Sequence, residues 1–235
     1  MIIFWRLILA HLLADFTFQS NSIALWKRKN VWGGIIHSLI FIVSGLALCF
    51  PYLNEIWISI DGLHFQGWFC LLLLGVFHFI EDEWRVYSIG RGSPDNLLFF
   101  LFDQIIHLSF IFILAPQMIF DHSGLILPEK IIFLSIMFVL VTHFTTVFVY
   151  YIERIFRRPQ EIDSFSHGKY YFMAERIVLA GSFLLPGWWW LGFILLWLLR
   201  LGLFYWKKEY DFSWGDLIVG NIFAIIFGGI IKVFF

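Results

Sequence analysis

The sequence predicts an all-α protein, a polytopic transmembrane bundle of about eight helices that forms a single domain over residues 1–235. Of the 235 residues, 60% are hydrophobic and only 14% are charged, whereas soluble domains carry about 25% charged residues. So few charges cannot cover a surface that faces water, and the mean hydropathy of +0.83 agrees. The net charge of −1 says nothing about nucleic acid by itself, but no sizeable basic patch lies outside the loops, so no nucleic-acid partner is expected. Membrane lipid is the expected partner.

The spans are predicted from apolar length, because about 20 apolar residues cross the hydrocarbon core as a helix. We expect a half that bears His and Asp side chains (2–116), followed by C-terminal helices (131–235). The expected spans are Ile2–Gln19, Trp32–Phe50, Gly67–Glu83, Leu97–Pro116, Ile131–Ile152, Tyr170–Leu185, Gly187–Trp206 and Trp214–Phe234. The sixth is short and carries Glu175 and Arg176 near its start, so a re-entrant arm, and hence seven spans, is the alternative.

The positive charges predict the orientation of the chain. They concentrate in loops on one side of the bundle, such as Lys27–Lys29, whereas the opposite loops hold only Lys130. Loops rich in Lys and Arg face the cytoplasm, so both termini are expected to be extracytoplasmic. Cys49 and Cys70 fall near the outer boundary. A disulfide between them is one possibility, and two free apolar thiols are the simpler expectation.

Ionisable side chains inside the spans form the candidate site, since such groups are costly in lipid and usually functional. A spacing of four residues places His and Asp side chains on one helix face in three of the helices. The candidate metal ligands, which share one depth near the cytoplasmic ends of the first four helices, are His11, Asp15, His37, His78, Asp82, Asp103 and His107. Three further polar residues are expected to support them: Gln19, Gln104 and His143.

Imidazole and carboxylate ligands together suit a divalent metal such as Zn, Mn or Fe. The alternative for any single histidine is a simple interhelical hydrogen bond, which contributes about 1 kcal/mol or less. The common depth of groups from several helices favours a shared site over separate hydrogen bonds. The loop residues His64, His122 and His167 are expected to be solvated.

A possible internal repeat relates the first two helical hairpins. The pair His11 and Asp15 recurs, at the same spacing, as His78 and Asp82, and the helix that follows each pair also carries a polar group. The pattern favours a parallel repeat of hairpins 1–2 and 3–4 about an axis along the membrane normal. Coincidence among eight histidines is the alternative.

The same residues carry a resemblance to a known family. The run His11-Leu-Leu-Ala-Asp15-Phe-Thr-Phe-Gln19, the basic stretch that follows it and Asp103-Gln-Ile-Ile-His107 resemble the family catalogued as domain of unknown function 3307. The likeness continues through Glu175-Arg176 to the last span around Gly220. The resemblance implies a protein of the bacterial inner membrane, and it implies no established activity.

Two main functions of different class fit these observations. A metal near the inner interface can activate water, so a metal-dependent hydrolase that acts on a lipid or lipid-linked substrate is the first hypothesis. A metal-ion or proton-coupled transporter would use the same groups as a binding site, and a structural or sensory protein without catalysis is the third reading. The outer halves of spans two to five are almost free of charge. This favours a site that is open to the cytoplasm and sealed outside, and no catalytic residue is assigned.

Overall fold

The computed structural model describes residues 2–116, 127–156, 169–207 and 215–234, and the chain is mostly helical over these ranges. It divides into two compact units, 1–136 and 137–235. The first unit contains nearly all of the candidate site. The sequence expectation of a helical protein is therefore confirmed in outline, with one exception in the second loop.

The N-terminal segment is a bent pair of helices. Helix α1 (Ile2–Leu12) ends in a π-helical turn (Leu13–Thr17), and α2 (Asn21–Lys29) follows at an angle of 87°. Ser20 begins α2 by accepting a hydrogen bond from the Ile23 N–H at 3.3 Å, as serine often does at an N-cap. The charge pattern of the sequence predicts that Lys27–Lys29 lie in a loop. They instead form the last turn of α2, where cations interact favourably with the helix dipole.

Helices α3 (Val31–Cys49, continued by a 3₁₀ turn at Phe50–Tyr52) and α4 (Gly67–Gly90) pack closely against each other. Two glycines make this approach possible. A Cβ atom on Gly45 would lie 2.5 Å from Leu71 Cδ1, and a Cβ atom on Gly75 would overlap Ile42. A larger residue at either position would force the Leu71 or Ile42 side chain to move. The close packing brings His37 of α3 within bonding distance of His78 and Asp82 of α4.

A β-hairpin in the second loop corrects the all-α expectation. Strands β1 (Ile56–Ile60) and β2 (Leu63–Gln66) are antiparallel, and both turn residues have positive φ angles, 48° at Asp61 and 84° at Gly62. An Asp-Gly pair with two positive φ angles is typical of a type I′ turn, which matches the twist of a two-stranded hairpin. The expectation of a purely helical chain is wrong here, because it rested only on the length of apolar segments and the hairpin strands are short.

Arg6 lies in the first unit, where α1 meets α5 (Leu97–Leu114) and α6 (Glu129–Val139). Only 1% of Arg6 is exposed. Its guanidinium donates to the carbonyls of Leu48 at 2.9 Å and Leu127 at 2.7 Å, and it pairs with the Glu129 carboxylate at 3.2 Å. Arg6 therefore connects α1 to the end of α3 and to the start of α6.

The second unit holds a π-helical turn (Leu140–Phe144), α7 (Thr145–Phe156), α8 (Lys169–Gly181) with a 3₁₀ turn (Ser182–Leu184), α9 (Trp189–Lys207) and α10 (Asn221–Phe234). A further π-helical segment, Gly215–Gly220, leads into α10. Buried Arg176 donates to the Phe172 carbonyl at 3.0 Å and to Thr146 Oγ1 at 2.7 Å. Its guanidinium also lies 3.7 Å from the Asp216 carboxylate.

In the described part of the chain, four helices are long and apolar enough to cross a membrane, or five if the bent pair at the N-terminus counts as one span. They are Val31–Tyr52, Leu97–Leu114, Glu129–Phe156 and Gly215–Phe234. The expected count of about eight is not confirmed. Helix α4 is long enough but carries Glu81, Asp82 and Glu83, and α8 has only 13 residues. The internal repeat stays a prediction.

Candidate metal centre

Polar side chains from α1, α3, α4 and α5 meet inside the first unit. All seven sequence-predicted ligands lie there, and six of them are at least 97% buried. Asp15, whose side chain is 9% exposed, is the seventh. Three sets of three side chains each bring their ligand atoms within 4.8 Å of one another. These sets are His11, Asp15 and His78; His37, His78 and Asp82; and Glu81, Asp103 and His107.

The π-helical turn at Leu13–Thr17 carries Asp15 to the site. Such wide turns are uncommon and often occur at functional positions. Asp15 Oδ1 lies 3.8 Å from His11 Nδ1, which is too long for a strong hydrogen bond. The same oxygen is 3.2 Å from His37 Nε2 and 3.3 Å from His78 Nε2. Asp15 therefore faces α3 and α4 more closely than the histidine of its own helix.

His37 and His78 form the centre of the cluster, with their Nε2 atoms 3.2 Å apart. Asp82 Oδ2 approaches both of them, at 3.2 Å from His37 Nε2 and 3.9 Å from His78 Nε2. We call His37, His78, Asp15 and Asp82 the central set. The ring of Phe41 stacks on His78 with centroids 5.1 Å apart, which keeps one side of this set apolar.

The atoms of the central set are close but poorly hydrogen-bonded. Asp15 Oδ1 and Asp82 Oδ2 are buried and have no hydrogen-bond partner among the residues that the structure describes. A buried carboxylate oxygen without a donor is costly. A tetrahedral ion with bonds of about 2.0–2.1 Å would separate its ligands by about 3.3 Å. The distances between the ligand atoms of the central set, 3.2–3.9 Å, are close to that value, so the set fits a divalent metal.

Gln104 orients several members of the cluster. Its amide Nε2 donates to Asp15 Oδ2 at 3.3 Å and to Asp103 Oδ2 at 3.2 Å. Because both acceptors are carboxylates, the amide oxygen must point the other way, and it lies 3.1 Å from His11 Nε2. His11 therefore carries its proton on Nε2. Its Nδ1 atom is left as a buried acceptor that has no hydrogen-bond partner within the described ranges.

Two cations border the cluster. Lys27 Nζ lies 2.7 Å from Asp82 Oδ1 and also donates to Gln19 Oε1 at 3.2 Å. Arg85 Nη1 donates to Asp103 Oδ2 at 2.8 Å. Each cation thus binds one oxygen of an acidic side chain and leaves the other oxygen facing the cluster. Such outer partners orient ligands in metal sites.

The three predicted supporting residues, Gln19, Gln104 and His143, occupy different positions relative to the cluster. Gln104 contacts the cluster directly, whereas Gln19 reaches it only through Lys27. His143 belongs to the second unit, where its Nδ1 atom lies 3.0 Å from Thr142 Oγ1. His64 is exposed in the hairpin and contacts Ser59, while His122 and His167 lie outside the described residues. Both cysteines are free and buried.

Glu81 is the acidic residue that the sequence analysis missed. It is 6% exposed and lies on the buried face of α4 together with His78 and Asp82. The signal was its spacing of three from His78, which places both on one helix face as a spacing of four does. Lys27 and Arg85 were used only as indicators of orientation, although both contact candidate ligands.

Comparison with known proteins gives one match. A family model described as "Protein of unknown function (DUF3307)" matches residues 3–134. The matched range contains every residue of the cluster. No curated protein and no solved structure matches the chain.

Proposed function

We propose that this chain, which belongs to the DUF3307 family, is a membrane protein that binds a divalent transition metal in the central set and uses it to hydrolyse a lipid or lipid-linked substrate. One observation carries the proposal. Two imidazole nitrogens and two carboxylate oxygens from α1, α3 and α4 converge at 3.2–3.9 Å. Zn, Mn and Fe all accept such ligands.

A bound metal accounts for the arrangement of the central set better than a network of hydrogen bonds does. His37 Nε2 and His78 Nε2 face each other, so at most one of them can donate across that gap. The opposing oxygens of Asp15 and Asp82 would still lack good donors within the part of the chain that the structure describes. A single dication would contact all four atoms at once and would offset the cost of burying them.

Hydrolysis follows from the chemistry of such an ion and from its surroundings. A divalent metal held by His37, His78, Asp15 and Asp82 would supply Lewis-acid activation of water near neutral pH. Lys27 and Arg85 border the site, and cations there suit a substrate that carries phosphate. In the proposed reaction the water oxygen bonds to phosphorus, the bond from phosphorus to the lipid oxygen breaks, and the lipid alcohol leaves with a proton.

We further propose that the site lies near the cytoplasmic face of a bacterial inner membrane, with both termini outside. The basic helix α2 and the turn between α4 and α5 meet beside the site, where Arg28 and Arg85 both contact Asp95. Basic segments favour the cytoplasmic side. The hairpin lies at the opposite end of α4.

The orientation can be measured with two matched cysteine variants. We expect Ser59→Cys, in the exposed hairpin, to react with an impermeant maleimide in intact spheroplasts, because this end of α4 faces outward. Ser93→Cys, in the turn after α4, should react only after the membrane is opened. Cys49 and Cys70 are buried and should give little background. Labelling of Ser93→Cys in intact spheroplasts would reverse the proposed orientation.

Metal binding is tested by elemental analysis of protein purified without chelators. We expect stoichiometric Zn, Mn or Fe in the wild type. In His37→Ala we expect the loss of at least one equivalent, with occupancy of the central set reduced about tenfold or more, because a central ligand is removed. His64→Ala is the matched control, since it removes an exposed histidine from the hairpin. Equal metal content in both variants would count against the central set as the binding site.

A further inference from the structure

Glu81 remains unexplained by a single metal in the central set. Its side chain is buried, yet neither carboxylate oxygen has a hydrogen-bond partner among the described residues. Glu81 Oε2 lies 3.4 Å from His107 Nδ1, outside hydrogen-bonding geometry. An ion bound by His37, His78, Asp15 and Asp82 would satisfy the oxygens of the central set and leave those of Glu81 as they are.

His107 is held in the tautomer that a metal requires. Its Nδ1 atom lies 2.9 Å from the backbone carbonyl of Asp103. A carbonyl can only accept, so Nδ1 carries the proton and donates it. The Nε2 atom is then left with a lone pair, and it is buried without a hydrogen-bond partner in the ranges that the structure describes. A histidine that donates its other N–H to a carbonyl is the usual form of a metal ligand.

Asp103 offers the third ligand. Its Oδ2 atom accepts from Arg85 and Gln104, at 2.8 Å and 3.2 Å. Its Oδ1 atom is buried and has no hydrogen-bond partner in the described part of the chain. Arg85 and Gln104 thus fix the carboxylate and leave one oxygen for another ligand. One side-chain atom of each of Glu81, Asp103 and His107 lies within 4.8 Å of those of the other two, when either ring nitrogen of His107 is counted.

This second group lies directly beside the central set. The rings of His78 and His107 are in contact, with centroids 4.5 Å apart, and the rings of His11 and His107 stack at 5.1 Å. Residues of both groups line one small cavity in the first unit. Its lining includes His78 of the central set together with Glu81 and His107 of the second group.

We infer that Glu81, Asp103 and His107 bind a second divalent metal ion, so that the site is a two-metal centre. The inference rests on the proposed function, because the second ion adjoins the metal of the central set. Two carboxylates and one imidazole suit Mn, Fe or Zn. Paired ions about 3.5–4 Å apart stabilise both the attacking and the leaving oxygen in phosphoryl hydrolysis. Because Lys27 and Arg85 also border the site, a phosphate ester is the substrate class that suits such a centre.

The test uses Mn²⁺ as the probe, with full-length protein in nanodiscs. We expect the wild type to bind about two equivalents of Mn²⁺ and to show an exchange-coupled electron paramagnetic resonance spectrum, as expected for ions about 4 Å apart. Glu81→Gln, which keeps the shape and removes the charge, should bind about one equivalent and lose the coupling. Glu83→Gln is the matched control on the same helix and should behave as the wild type.

The outcomes separate the two proposals. One equivalent in the wild type, or unchanged stoichiometry and coupling in Glu81→Gln, would overturn the second site and leave the central metal in place. No bound Mn²⁺, Zn or Fe in the wild type would overturn the proposed function itself, and the second site with it. The equivalent retained by Glu81→Gln shows that the variant is folded.

Discussion

Replacing Arg6 with Ala is expected to lower the free energy of unfolding by about 3 kcal/mol, the largest single-residue effect on stability that we expect from the fold. Arg6 is 1% exposed and donates to the backbone carbonyls of Leu48 and Leu127. Its loss would leave the buried Leu48 carbonyl without this donor, at a cost of about 1–3 kcal/mol, and would also remove the part-buried hydrogen bond to the Leu127 carbonyl. The partner carboxylate of Glu129 is 39% exposed and can be hydrated instead, so the ion pair adds little.

The measurement is thermal or denaturant unfolding of purified protein in detergent. Arg91→Ala is the control, because Arg91 is exposed just after the end of α4, where its guanidinium lies over the ring of Tyr87 at 5.0 Å. Surface substitutions of this kind change stability by about 0.5 kcal/mol or less. If Arg6→Ala and Arg91→Ala were equally stable, Arg6 would not hold the ends of α3 and α6 to α1.

Much of the candidate site was predictable because the cost of charge in lipid does not depend on the details of packing. The spacing of four residues places both side chains of a pair on one face of their helix. The pairs are His11–Asp15, His78–Asp82 and Asp103–His107. Shared depth then predicted that the faces would meet. Both arguments use only helix geometry and the thickness of a bilayer, which the sequence carries.

The detailed pairing was not predictable from spacing. Asp15 lies closer to His37 and His78 than to His11, because a π-helical turn carries it and because α3 and α4 pack closely at Gly45 and Gly75. Neither feature has a reliable signature in one sequence. Glu81 was overlooked for a simpler reason: a search for spacings of four omits the neighbour at three.

The hairpin and α2 differ from these features, because the sequence contains local patterns that indicate both of them. Asp61-Gly62 between two alternating apolar runs indicates a type I′ hairpin. Ser20 ahead of Asn21–Lys29 is a standard start for a helix. Apolar length was the only criterion applied, so segments too short or too polar to cross a membrane were assigned to loops.

Replacing Asp15 with Asn is expected to reduce the proposed metal-dependent hydrolysis by about 100-fold, because metal ligands and their supporting groups each affect affinity or activity on that scale. Asp15 Oδ1 contacts both histidines of the central set, and Asp15 Oδ2 accepts from Gln104. Asparagine keeps the size of the side chain but removes the charge that a dication needs. Lower metal content should accompany the loss of activity.

The assay measures inorganic phosphate released from a lipid phosphate by metal-loaded protein in nanodiscs. Asp61→Asn, in the hairpin turn, makes the same chemical change away from the site and should retain wild-type activity. The wild-type protein could instead carry metal or proton flux in proteoliposomes without releasing phosphate. If Asp15→Asn abolished that flux, the same side chains would serve transport. The halves of α3, α4 and α5 that lie away from the central set carry no charged side chains, which makes that outcome unfavourable, because an ion leaving the central set in that direction would have to cross hydrocarbon without polar groups to replace its ligands.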